Sequence, residues 1–182
     1  MTRGTLGPVT DLELRHLAAM AAVGLNGDVE HVKLLDDPYL LVARRGTFSE
    51  RSVPLDQLDG APLVAWPSIC DQPRMEEAFT RAGANPEIVF RTAGNETLLS
   101  MVRAGMGSAV LPWLAIHAAD AESDDRLRVH ELRPAIPPRE VFLHWRAGRT
   151  HSPLAARAIQ IAIEVASDLA DELALEYSGP TT

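Results

Sequence analysis

The sequence predicts an α/β fold. Strand-length apolar runs alternate with helically spaced apolar residues through the middle of the chain. The 182 residues are 46% hydrophobic and 23% charged, the balance of a globular chain with its own core. Pro and Gly fall between the periodic segments rather than inside them. Together these predict an α/β sandwich with a mostly parallel sheet and right-handed crossovers. The length suits one domain or two small lobes.

The elements follow in order. Asp11 to Val23 reads as a short helix, with Leu14, Leu17, Ala18 and Ala21 on one face, stopped by Gly24, Asn26 and Gly27. Val29 to Leu35 is a strand, Asp36-Asp37-Pro38 a solvated turn, and Tyr39 to Ala43 a buried strand. Arg44 to Pro62 is polar, with a helical turn at Leu55 and Leu58, and Leu63 to Trp66 is a short strand. Asp71 caps a helix that has Pro73 in its first turn, Met75, Ala78, Phe79 and Ala82 inside, and Gly83 past its end. Glu87 to Arg91 is a strand. Asn95 caps a helix that buries Leu98, Leu99 and Val102 and stops at Gly105. Ser108 to Leu111 is a strand, and Asp120 to Asp125 an acidic surface loop. Leu127 to Leu132 and Val141 to Trp145 are strands joined by a Pro134 to Pro138 elbow. Ser152-Pro153 opens the last helix, whose Leu154, Ala158, Ile161, Ala162, Val165, Leu169 and Leu173 are expected to face inward, and the tail after it frays.

The net charge of -8 comes from 17 basic and 25 acidic residues. With no basic run along the chain, no local patch for nucleic-acid phosphates is expected. The single cysteine, Cys70, excludes an internal disulfide and a cysteine-rich zinc site. The six histidines never stand four apart or in a His-Glu-x-x-His pattern, so neither metal nor cofactor is expected. No apolar run reaches membrane-spanning length and the amino-terminal residues lack a signal-peptide pattern, so a cytoplasmic protein is expected.

In sheets of this kind ligands sit beyond the carboxyl ends of strands, at helix N-termini. Two strand-to-helix loops have that geometry. One is Trp66 to Asp71, with a flat ring at Trp66 beside Ser68, Cys70 and Asp71; Trp66 also suits a core position. The other is Thr92 to Glu96, where Thr92, Asn95 and Glu96 surround free backbone N–H groups suited to a carboxylate or another small anion; Asn95 also suits a plain capping role. Cys70 at a helix start has the position of a nucleophile, but Asp71 opposes thiolate formation and neither Cys70 nor Ser108 has a paired base, so no enzyme is expected.

These segments add up to a family. "HVKLLDDPYLLVARRG" (His31 to Gly46), "VPLDQLDGAPLVAWP" (Val53 to Pro67), "AGANPEIVFRTAGNETLLSMVRAGMGSAVLP" (Ala82 to Pro112) and "LHWRAGRTHSPLAARAI" (Leu143 to Ile159) resemble, in this order, the effector region of the LysR-type transcriptional regulators. The resemblance spans Val29 to Val165 and implies a fold like a type 2 periplasmic binding protein: two α/β lobes around a small-molecule cleft. "DLELRHLAAMAAV" (Asp11 to Val23) resembles the first helix of the family's winged helix-turn-helix, so the chain looks internally truncated. The implied domains are a remnant and linker over 1–28, an effector domain over 29–176 and a tail over 177–182, with lobe two nearly complete and lobe one partial.

The resemblance places the effector on Trp66, Ser68, Cys70, Asp71, Thr92, Asn95 and Glu96, the two loops already singled out. The lobe-one serine or threonine that completes the family pocket has no counterpart, which implies weakened binding. Transcription regulation is the family role, although one helix cannot read a major groove by itself. Exposed apolar faces and strand edges of a partial lobe imply a homo-oligomer or association with full-length homologues. The alternatives are an interaction protein that captures such homologues, or a remnant without function.

Overall fold

The computed structural model describes residues 29–68, 71–148 and 150–177. The helix expected over Asp11 to Val23, the residue Cys70 and the tail 178–182 lie outside them. In chain order the elements are β1 (Val29–Asp37), β2 (Tyr39–Arg44), β3 (Ser52–Pro54), a 3-10 turn (Leu55–Leu58), β4 (Pro62–Ala65), α1 (Gln72–Arg81), β5 (Glu87–Arg91), α2 (Asn95–Arg103), β6 (Ala109–Pro112), α3 (Trp113–Ala118), β7 (Leu127–Arg133), β8 (Arg139–Arg146) and α4 (Pro153–Tyr177). The described residues fall into two compact units, one from 29–34 and 142–169, the other from 35–141 and 170–177.

The larger unit is built on a four-stranded sheet ordered β3-β7-β2-β6. Its centre departs from the expected parallel pattern: β2 runs antiparallel to both β6 and β7, and only β3–β7 is parallel. The sheet is therefore mixed, because the chain returns through β2 rather than through successive helical crossovers. A second, parallel pair joins β4 to β5. A bridge from Leu63 to Ser108 ties β4 to the start of β6. There the backbones approach so closely that a Cβ on Gly107 would stand 2.6 Å from the Pro62 carbonyl oxygen, so only glycine fits.

The core of this unit gathers Tyr39, Leu41, Leu55, Leu58, Leu63, Met75, Phe79 and Val110. The 3-10 turn contributes Leu55 and Leu58, the two residues that its apolar spacing singled out. Helix α2 buries Leu98, Leu99 and Val102 as its period requires, and Gly105 ends it with φ +80°. Two acidic positions expected in solvated turns are instead structural. Asp37 is fully buried: its Oδ1 accepts the Leu114 N–H at 3.0 Å and its Oδ2 accepts the Arg139 Nε and Nη2, both at 2.7 Å. It thus serves the N-terminus of α3, whose own N-cap residue, Pro112, has no side chain able to do so. Asp124, in the acidic loop, pairs with Arg103 at 2.6 Å and Arg126 at 3.0 Å. Hydrogen bonds from Arg126 and Arg103 hold its carboxyl well below the usual range.

In the smaller unit, β1 and β8 form a two-stranded sheet. His31 packs edge-on against Phe142 and lies 5.6 Å from His144, and the Trp145 indole donates to Glu30 at 3.0 Å. Helix α4 begins as expected, with the Ser152 Oγ accepting the Ala155 N–H at 3.2 Å. Its apolar face departs from expectation. Leu154 is 81% exposed and Val165 50%, Ala158 and Ile161 are exposed as well, and only Ala166 of this helix is buried. Of the face that the helical period marks for burial, Ala162, Leu169 and Leu173 are half-buried, while Leu154, Ala158, Ile161 and Val165 are left uncovered by the described residues.

Candidate effector site

The two strand-to-helix loops meet. Strand β4 ends at Ala65 and delivers Trp66, half-buried, towards the start of α2. The Trp66 indole N–H donates to the Asn95 Oδ1 at 3.1 Å. A tryptophan N–H only donates, so it fixes which end of the Asn95 amide faces it. Thr92 donates its backbone N–H to the Ala65 carbonyl at 3.0 Å, extending the β4–β5 pairing into the loop.

Asn95 is not the cap that its position suggests. Gly94 takes that place in an extended conformation, its carbonyl accepts the Leu98 N–H at 3.0 Å, and Asn95 is the first helical residue. Its side chain is thereby released for Trp66. Asp71 does occupy the position before α1, but with helical backbone angles and no side-chain bond to the helix. Its carboxylate lies against the Tyr39 hydroxyl instead. Burial, reinforced by Asp71, pushes the Tyr39 phenol far above its ordinary range.

Of the seven residues expected at the site, the structure joins Trp66 directly to Asn95 and sets Thr92 and Glu96 beside them in the same loop and first turn. Ser68 is exposed. Asp71 stands at the start of α1 facing Tyr39, and Cys70 lies outside the described residues.

The residues alone did not point to Arg91. It closes β5 and donates to the Trp66 carbonyl at 2.8 Å and to Glu76 Oε1 at 2.7 Å. Burial raises the Glu76 carboxyl, but the bonds from Arg91 and Gln72 outweigh this and hold it below the usual carboxylate range. Arg91 therefore locks β4, α1 and β5 together at the edge that carries both loops. Its signal was its place immediately before Thr92, at the end of a strand aimed at the loop.

The first N–H groups of α1 and α2 have no partners within their helices and make a partial positive charge at each start. Helix starts of this kind suit small anions, and Trp66 stands beside them as an apolar surface. Ser108 is not an open nucleophile: it is buried beneath the Leu63 bridge. Nor do three His, Cys, Asp or Glu side chains gather there as metal ligands. Away from these loops, Arg45 and Arg51, six residues apart, and the distant Arg128 line one cavity together with Glu122 and Glu176.

Comparison with known proteins places the chain. Residues 11–167 match the LysR substrate binding domain. The chain belongs to that family. This LysR-type chain is 35% identical over 134 residues to the HTH-type transcriptional regulator CbbR of Xanthobacter flavus, covering 72% of this chain and 37% of that protein. It is 30% identical over 132 residues to the HTH-type regulator YfeR of Shigella flexneri, covering 71% of this chain and 42% of that protein. It thus spans well under half the length of both relatives. The fold matches the Synechocystis PCC6803 CcmR regulatory domain, solved in complex with 2-PG, at a TM-score of 0.64 and 18% identity, over 78% of this chain and 68% of that one. The LysR effector-binding fold, resembling a periplasmic binding protein, is therefore that of this chain, and the relatives matched in sequence are transcription regulators. No helix among the described residues is long and apolar enough to cross a membrane.

Proposed function

We propose that this LysR-type effector domain senses a small anion held on Trp66, Ser68, Cys70, Asp71, Thr92, Asn95 and Glu96. The observation that carries the reading is the Trp66–Asn95 hydrogen bond, which joins the two loops into one surface. Arg91 stiffens that surface, and the unpaired N–H groups at the starts of α1 and α2 offer an anion hydrogen bonds despite the neighbouring Asp71 and Glu96. The CcmR regulatory domain, alike in fold, holds 2-PG. The protein works in the cytoplasm, in the control of transcription, and contacts with DNA belong to the wider family role. The test is a titration of 2-PG and simple carboxylates followed by tryptophan fluorescence. A saturable change that disappears in Trp66→Phe is expected, and a flat response to every acid at millimolar concentration would reject the reading.

A second reading is favoured by the open apolar face of α4. Here the chain associates with itself or with full-length homologues through that face. Co-purification with a LysR-type regulator, lost in Val165→Glu, is expected on this reading. A monomer that retains no such regulator would exclude it.

A further inference from the structure

Away from the two loops, within the larger unit, lies an open cavity of about 600 Å³ bordered by the end of β2, the start of β7 and the end of α4. Arg45, Arg51 and Arg128 supply three guanidinium groups to its wall, and Glu122, Glu176 and Tyr177 supply acceptors and a phenol. In a chain of net charge -8, this concentration of cations is a local departure from the whole.

The three arginines are differently engaged. Arg45 uses its Nε on the Asp125 carbonyl at 2.6 Å. Arg51 pairs with Glu131 at 3.2 Å and reaches the Glu176 carbonyl at 2.5 Å. Arg128 makes no hydrogen bond or ion pair among the described residues, although the β2–β7 register places it opposite Ala43, next to the strand end that carries Arg45. Across the cavity the Tyr177 hydroxyl donates to Glu122 at 2.6 Å, which fixes that carboxylate on the wall. The geometry points to a second ligand site, one for a small hydroxylated acid. Its carboxylate or phosphate lies against Arg128 and the free edge of Arg45, and its hydroxyl groups donate to the Glu122 carboxylate on the facing wall.

The physical case rests on complementarity. A guanidinium edge matches a carboxylate or phosphate with two parallel bonds. An acid without hydroxyls would leave the Glu122 carboxylate facing its charge unbridged; a hydroxyl turns that repulsion into a hydrogen bond. The surface is concave and mixed in sign, which suits a small molecule better than the uniform phosphate track of a nucleic acid.

The experiment is calorimetry in low-salt buffer with four probes: gluconate, glycerol 3-phosphate, acetate and inorganic phosphate. The hydroxylated pair is expected to bind more tightly than the plain pair, and the stronger of gluconate and glycerol 3-phosphate tells which acid group the site prefers. Arg128→Gln is expected to weaken that binding about tenfold or more, the value of one lost charge-assisted bond. Arg128 is exposed and unpaired, so this variant folds as the parent does. The difference in binding between parent and Arg128→Gln is expected to be the same on an Asn95→Ala background, which separates this site from the sensing of an anion by the two loops. The proposal fails if Arg128→Gln binds as the parent does, if the plain pair binds as tightly as the hydroxylated pair, or if none of the four probes binds at millimolar concentration.

Discussion

The Trp66 indole reaches across 29 residues of sequence to the Asn95 side chain and donates to its Oδ1 at 3.1 Å. Neither residue is confined to the plainer of the two purposes that its local sequence offers. Trp66 is only half-buried at the edge of the core, and Asn95 leaves the helix cap to Gly94. What they share is a loop-to-loop contact that makes one surface from two.

Removing that contact is expected to be mild for stability and severe for the site. Asn95→Ala should cost about 1 kcal/mol, the usual net worth of one hydrogen bond. Urea denaturation measures the first effect and effector titration the second. A fall in stability with unchanged affinity for small acids would mean that the pair is structural only.

Asp37 should be far less tolerant. Removing one partner of a buried ion pair leaves the other uncompensated, at about 3–5 kcal/mol where both are enclosed. Arg139 still reaches solvent, so we expect about 2–4 kcal/mol for Asp37→Ala. The loss includes the bond to Leu114, so α3 should loosen with it. A denaturation midpoint close to the parent's would show that Asp37 is not the anchor described.

Stability should also fall on mild acidification, through His130. Its Nδ1 lies 2.5 Å from the Glu50 carbonyl, its Nε2 is buried without a partner, and burial lowers its pKa below the ordinary 6.5. The unfolded chain therefore takes up the proton first, so this contribution is whole above about pH 6.5 and is lost as the pH falls below it. Urea midpoints compared at pH 7.5 and 5.5 should drop more in the parent than in His130→Asn. Equal slopes would remove His130 as the cause.

The exposed face of α4 makes the opposite kind of prediction. Leu154 and Val165 stand in solvent, so Leu154→Glu and Val165→Glu should change stability by no more than about 0.5 kcal/mol, as for other surface positions. They should also reduce self-association in sedimentation. A loss of several kcal/mol would mean that the face is covered in the intact protein.

How far the sequence went can be judged from particular residues. Strand β5 runs from Glu87 to Arg91, the limits that its Ile-Val-Phe run and flanking polar residues indicate, because strand propensity and local pattern agree there. Ser152 caps α4 for the same reason: the rule is local. The departures are all tertiary. Asp37 reads as a turn residue because its partners are Leu114 and Arg139, 77 and 102 residues away. Asn95 reads as a cap because the sequence does not reveal that an indole will compete for its amide. Strand β3 was not anticipated because three residues carry no periodicity and its pairing with β7 lies far along the chain. The apolar face of α4 was legible as a face, but its surroundings were not. For the site, both loops were visible as strand-to-helix junctions, while Arg91 acts through contacts that only the fold creates.

The far end of α4 is held differently from its beginning. Tyr177 is bonded to Glu122 and the Glu176 carbonyl to Arg51, whereas the first turns present Leu154 and Ile161 to water. Amide deuteration along this 25-residue rod should therefore be graded, fast in the opening turns and slower where Glu176 and Tyr177 are tethered. The helix melts from one end, and the tethered end is the last to let go.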